Sequence, residues 1–151
     1  RRVPLEESIG ALKELQDEGK VRHIGVSNFD VGELERARAI VEVVSVQNLY
    51  NLTDRESEDV VDYCEREGLA FIPWYPLASG DVAAPKGPLA EVAAMHDATP
   101  AQISLAWLLH RSRVMLPIPG TSSIEHFEEN LETGAIELSD EDMARIEKAA
   151  A

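Results

Sequence analysis

The sequence predicts an α/β fold in which a parallel sheet is covered by helices, and three observations carry that expectation. Short apolar, β-branched runs recur at VRHIGVS (21–27), VVSVQNLY (43–50), LAFIPW (69–74) and VMLPI (114–118). Helical patterns separate them. Runs of this kind are expected to be buried on both faces, as in a parallel sheet packed between or under helices. Doubly wound and barrel architectures both produce this alternation. No Gly-x-Gly-x-x-Gly turn follows any of the runs, which takes support away from a dinucleotide-binding Rossmann domain.

The elements follow in order. Residues 5–19 place Leu5, Ile9, Leu12 and Leu15 on one apolar stripe, with Pro4 at the first turn and Gly19 at the stop. After the first strand, Asp30 is a candidate cap for a helix over 30–39. After the second, Thr53 and Glu56 predict a capping box for a helix over 54–67, ended by Gly68. Beyond the third strand the stretch SGDVAAPKGP reads as a connecting loop, able to close over a bound ligand or to remain a solvated link. Helices are predicted over 88–97 and 100–111, the latter with Thr99 as cap and Pro100 at its first position. The fourth strand leads into GTSSIEHFEENL (120–131), another helix. A final helix over 139–149 starts with Ser139 and Asp142 in capping-box spacing.

Composition narrows the function. The 151 residues are 44% hydrophobic and 28% charged, as a globular domain with a real core requires. The net charge of −14 argues against nucleic acid or an anionic membrane as partner, since both need a basic footprint. Cys64 is the single cysteine, so neither an intrachain disulfide nor a thiolate metal cluster is available, and a reducing cytoplasm is the expected compartment. No apolar run approaches the roughly 20 residues of a membrane helix.

The C-terminal strand ends hold the polar groups. They are Ser27 and Asn28 on the first strand, Gln47 and Asn48 on the second, Trp74 and Tyr75 on the third, and Gly120, Thr121, Ser122 and Ser123 after the fourth. Each has a plainer role when taken singly: a turn, a satisfied core amide, a core aromatic, a helix cap. Taken together they match one ligand. Ser27, Asn28 and Gln47 bracket a flat carboxamide, Trp74 offers a π-face to a planar ring, and backbone N–H groups at 121–123 suit a phosphate. In a barrel, strand ends of this kind form the active face.

The segments GKVRHIGVSNF (19–29), VQNLYN (46–51), FIPWYPLASG (71–80), TPAQISLAWLL (99–109) and IPGTSSIEHFEEN (118–130) resemble, in that order, the aldo-keto reductases. The resemblance implies an α/β fold of (β/α)8 TIM-barrel type. Residues 1–151 would be its C-terminal half, strands five to eight with their helices, and incomplete as a domain. It further implies an oxidoreductase that reduces aldehydes or ketones with NADP, or alternatively NAD, as cofactor. Ser27, Asn28 and Gln47 would hold the nicotinamide carboxamide, and Trp74 would stack on the ring. Leu77, Ala78 and Ser79 would lie along the pyrophosphate. Gly120, Thr121, Ser122, Ser123 and His126 would meet the adenosine ribose and its 2′-phosphate, with Glu129 and Asn130 at the adenine.

Some positions depart from the family pattern. NADPH-preferring members often carry lysine at position 120 and arginine at 126, where this chain has Gly120 and His126. A serine is common where Tyr75 stands. The family's catalytic aspartate, tyrosine, lysine and histidine belong to the first half of the barrel. No catalytic residue is therefore assigned, and the chain alone is expected to be inactive. His23, His96, His110 and His126 do not match the catalytic pattern, and a packing role is expected for His23. Half a barrel leaves sheet edges unpaired and an apolar inner face open, so an N-terminal half-barrel or a second copy of the chain is the expected partner, beside a small carbonyl substrate. A truncated half-barrel that binds nucleotide or self-associates without catalysis is the alternative. Among family members the likeness is strongest to bacterial pyridoxal-reductase-like enzymes.

Overall fold

The computed structural model describes residues 3–78 and 87–150. The pyrophosphate residue expected at Ser79, and most of the loop SGDVAAPKGP, lie outside the described residues. The elements run α1 (Leu5–Asp17), β1 (Ile24–Ser27), α2 (Val31–Arg38), β2 (Val43–Leu49), α3 (Glu58–Glu67), β3 (Ala70–Trp74), α4 (Pro88–Met95), α5 (Pro100–Arg111), α6 (Ile124–Glu132), a 3-10 turn (Thr133–Ala135) and α7 (Asp140–Ala150). No helix among the described residues is long and apolar enough to cross a membrane.

The caps explain most boundaries. Asp30 accepts the Glu33 N–H at 2.7 Å while the Glu33 side chain faces the Asp30 N–H, a complete capping box. Thr99 and Gln102 do the same for α5, with Pro100 at the first turn. Ser139 and Asp142 exchange equivalent bonds at the start of α7. Gly68 closes α3 in the left-handed region, φ 70°, where only glycine is free of Cβ strain. The expected Thr53–Glu56 box is not formed. Helix α3 begins later, at Glu58, because buried Asn51 captures the local donors first. Its Oδ1 accepts from the N–H groups of Thr53 and Asp54 and from the Thr53 hydroxyl, making a turn in place of a helix start.

The sheet has three parallel strands in the order β1-β2-β3. Ser27, Gln47 and Ile72 share one row across it, and Leu49 pairs with Trp74 two rows on. A bulge sets Ile24 opposite Val43 but Gly25 opposite Ser45. Gly25 permits the close approach: a Cβ there would lie 2.4 Å from Ser45 Oγ.

The expected fourth strand shrinks to one parallel bridge, Phe71 with Met115, made by Phe71 N–H to Val114 O and Leu116 N–H to Phe71 O, both 2.8 Å. A proline accounts for this. Pro73 presents no N–H to the edge that Phe71 used, so the ladder stops.

One sheet face carries the core. Ile24, Val26, Val43, Val46 and Phe71 are buried beneath the helices, with Leu34, Val61, Ile103 and Trp107 packed against them. Each such side chain contributes about 1.5–3 kcal/mol of burial. Tyr50 joins the layers, stacked on Trp107 (5.8 Å, 18°) and edge-on to Phe71 (5.8 Å, 83°). The other face, with Gly25, Ser27, Ser45, Gln47, Leu49, Ile72 and Trp74, is exposed or half-buried. The expectation of strands buried on both faces is therefore corrected: among the described residues, helices cover one side only. His23 is also corrected. It is exposed in the turn before β1 and packs in no core.

Candidate functional site

Three strand ends are tied together by hydrogen bonds. The Ser27 hydroxyl donates to the Gln47 carbonyl at 2.8 Å, and the Asn28 N–H donates to the same oxygen at 3.0 Å. The Trp74 indole N–H donates to Asn28 Oδ1 at 3.0 Å. Residues from the ends of β1, β2 and β3 thus meet at one side of one sheet end, and the bond from Trp74 to Asn28 spans 46 positions of sequence.

The backbone around them is held in unusual shapes. Asn28, Tyr75 and Ala78 all have positive φ (57°, 62° and 46°). Asparagine tolerates this region, but Tyr75 and Ala78 carry a real cost that their surroundings offset. Asn51 is part of that support: its Nδ2 donates to the Tyr75 carbonyl at 3.1 Å. Asn48, also buried, holds the Phe29 backbone from both sides, accepting its N–H at 3.2 Å and donating to its carbonyl at 2.9 Å. These two asparagines shape the strand ends and were not singled out as site residues. Their signal was an Asn at or just past a strand end, which is common in ordinary turns.

The remaining expected positions divide. Ala78 is buried and its N–H closes a turn onto the Tyr75 carbonyl at 3.2 Å, while half-buried Leu77 packs on the core. Met115 pairs in parallel with Phe71, so the chain leaves that bridge toward the end of the sheet where Trp74 lies, and Gly120–Ser123 follow. Among the described residues no hydrogen bond joins 120–123 to the Trp74 cluster. Ser123 caps α6, accepting the His126 N–H at 3.3 Å, and Thr121 Oγ1 accepts the Ser123 N–H at 3.1 Å. One of the three N–H groups expected to face a phosphate is thereby occupied. Gly120, Thr121, Ser122 and His126 are exposed; Glu129 and Asn130 are half-buried. The Glu129 carbonyl accepts from Gln102 Nε2 at 2.9 Å, which fixes α6 to α5.

The donor set fits a carboxamide. No partner is seen for Asn28 Nδ2 or for the Gln47 side-chain amide among the described residues, so both can engage a ligand's carbonyl and amino groups, beside an indole that is only half-buried. A cleft of about 340 Å³ opens next to Asn28, with Asn48, Ser57, Asp30, Glu56 and Asp59 in its lining. Its carboxylates make it unfavourable for a phosphate. No group of metal-ligating side chains occurs among the described residues.

The aldo/keto reductase family model matches residues 1–151. The chain belongs to the aldo-keto reductase family. It is 46% identical to an uncharacterized oxidoreductase of Schizosaccharomyces pombe over 97% of its own length and 48% of that protein. It is 41% identical to the pyridoxine 4-dehydrogenase of Escherichia coli, over 95% of its length and 50% of that protein. It also superposes with a TM-score of 0.85, at 31% identity, on an aldo/keto reductase from Klebsiella pneumoniae in complex with NADP and acetate, covering 97% of this chain and 54% of that one. This aldo-keto reductase chain thus spans about half the length of the curated relatives it matches. Among the described residues, its three parallel strands and their helices fit the α/β architecture of these relatives.

Behind the strand ends an ionic cluster anchors β2. Tyr50 hydroxyl and Arg55 Nε donate to Glu58 Oε2 at 2.8 and 2.7 Å, and Arg111 Nε donates to Oε1 at 2.5 Å. Burial pushes the Glu58 carboxyl up, but the bonds from Arg55, Tyr50 and Arg111 outweigh it and hold the group at about 2. Burial and the adjacent Glu58 raise the Tyr50 phenol, so it stays protonated. Tyr50 is therefore a fixed donor in a structural network, a poor candidate for proton transfer.

Proposed function

We propose that this chain is the cofactor-holding second half of an aldo-keto reductase (β/α)8 barrel, strands five to eight with their helices, in an enzyme that reduces aldehydes or ketones with NADP. The observation that carries this reading is the cluster joining Ser27, Asn28, Gln47 and Trp74 across three parallel strand ends. When bound, the cofactor supplies the hydride, and the protein binds and orients it. Asn28 and Gln47 hold the carboxamide, Trp74 lies against the ring, and Thr121–Ser123 meet the ribose phosphate beside His126. Position 126 carries no fixed positive charge, and Glu125, Glu128 and Glu129 are its neighbours in sequence, so NAD is accepted as well. Proton chemistry belongs to an N-terminal half-barrel that closes over the open sheet face. The likeness to pyridoxine 4-dehydrogenase supports a pyridoxal-like aldehyde as substrate.

Exposed apolar side chains support a second reading, a self-associating half-barrel without turnover. Leu116 and Ile118, beyond the Phe71–Met115 bridge, and Ile124, Phe127 and Leu131 on α6 are exposed and would be covered by a second copy. Sedimentation separates the two readings: a self-associating half-barrel sediments as a dimer or larger, whereas turnover by the chain alone is absent under both. NADPH should bind the chain, Gln47→Ala should weaken it by about 5- to 10-fold, and the chain alone should not oxidise NADPH with a simple aldehyde. Unchanged affinity in Gln47→Ala would overturn the site assignment, and clear turnover would overturn the placement of the proton chemistry.

A further inference from the structure

We propose that Trp74 is a positioning residue that sets the hydrogen-bonding polarity of Asn28, and that it does so through its indole N–H rather than its ring face alone. The inference rests on the cofactor reading above. An indole N–H can only donate, so its 3.0 Å contact must be to the oxygen of the Asn28 amide, never to its nitrogen. That contact removes the two-fold ambiguity of the side-chain amide. Oδ1 is held by Trp74, and Nδ2 is the end left without a partner among the described residues. The Asn28 backbone is fixed independently, by its N–H on the Gln47 carbonyl and by φ 57°. Backbone and side chain together present a single pre-set donor group beside the Gln47 amide, which has no partner among the described residues.

The ligand consequence is specific. A pre-oriented Nδ2 recognises a carbonyl oxygen, and Gln47 is left to accept the amino group of the same carboxamide. A tyrosine or phenylalanine at position 74 offers a ring of similar size and no N–H at this place. Such a residue would leave Asn28 free to rotate its amide, and ordering it on binding would then oppose affinity.

A double-mutant cycle tests this with NADPH as the probe, followed by its fluorescence on the 151-residue chain. Trp74→Phe keeps a ring and removes the N–H. Asn28→Gly removes the amide at a backbone shape that glycine adopts freely. Trp74→Phe should weaken NADPH by about 5-fold in the native background and by less than about 2-fold in Asn28→Gly. Equal losses in both backgrounds would overturn the positioning role and leave the cofactor reading intact. Native affinity in Asn28→Gly and Gln47→Ala alike, or no binding by the unmodified chain, would overturn the cofactor reading and this inference with it.

Polarity is tested with the reduced 3-acetylpyridine analogue, which keeps the carbonyl oxygen and lacks the amino group. Asn28→Gly should weaken the analogue as much as NADPH, and a clearly smaller loss would show that Asn28 accepts rather than donates. Hydrogen exchange of the Trp74 indole N–H checks the contact without altering Trp74. Exchange should be slower in the unmodified chain than in Asn28→Gly, and equal rates would refute the bond.

Discussion

Replacing Glu58 by glutamine isolates the network that ties β2 to α3 and α5. The carboxylate accepts from Tyr50, Arg55 and Arg111, and glutamine keeps one acceptor while turning an NH2 toward a guanidinium. The group ordinarily titrates at 4.5 and sits at about 2 in the fold. Converting that difference gives ~3 kcal/mol as an upper bound. The Glu58 side chain is 31% exposed, so water screens part of it, and Arg111 retains Asp62 as an acceptor and Glu65 as an ion-pair neighbour. We therefore expect Glu58→Gln to cost ~1.5–2 kcal/mol near neutral pH. Because the folded value is the lower one, this contribution is complete above the unfolded value of 4.5 and disappears as pH falls through about 2. Urea unfolding of both proteins across pH is the assay. The gap between them should be widest near neutrality and narrow below pH 4.5, even as other carboxylates destabilise both alike. A difference under ~0.5 kcal/mol at neutral pH, or one that stays flat from about pH 5 to about pH 3, would refute the argument.

Two further outcomes follow from the same packing. Cys64 is fully buried, and burial, opposed only by the Arg38 charge, pushes its thiol up to about 12. A disulfide reagent at mildly alkaline pH should label it only as fast as the chain opens, and rapid labelling of the native protein would contradict the burial. Gly68→Ala should destabilise by ~1 kcal/mol through the left-handed backbone alone, since nothing lies within 4 Å of the new Cβ. A neutral effect in thermal unfolding would mean that α3 ends differently.

Local chemistry made much of the framework legible. Asp30, Thr99 and Ser139 each sit three residues before a side chain that returns the cap, a relation contained within one turn. The apolar runs marked three strands for the same reason. Two expectations failed where competition was not local. Asn51 displaced the Thr53 cap because its buried amide reached Tyr75 as well as Thr53. The fourth strand failed on Pro73, whose missing donor matters only once it is known which edge of β3 faces Met115.

For the site, the sequence by itself determined which polar and aromatic groups stand at the strand ends, since strand boundaries and residue types are local properties. The tertiary structure decided what those groups do to one another. Parallel register set Ser27, Gln47 and Ile72 in one row and brought Trp74 within a hydrogen bond of Asn28. It also turned Ala78 into the core. A hydrogen bond depends on distance and direction between atoms far apart along the chain, and only the pairing of the strands supplies both.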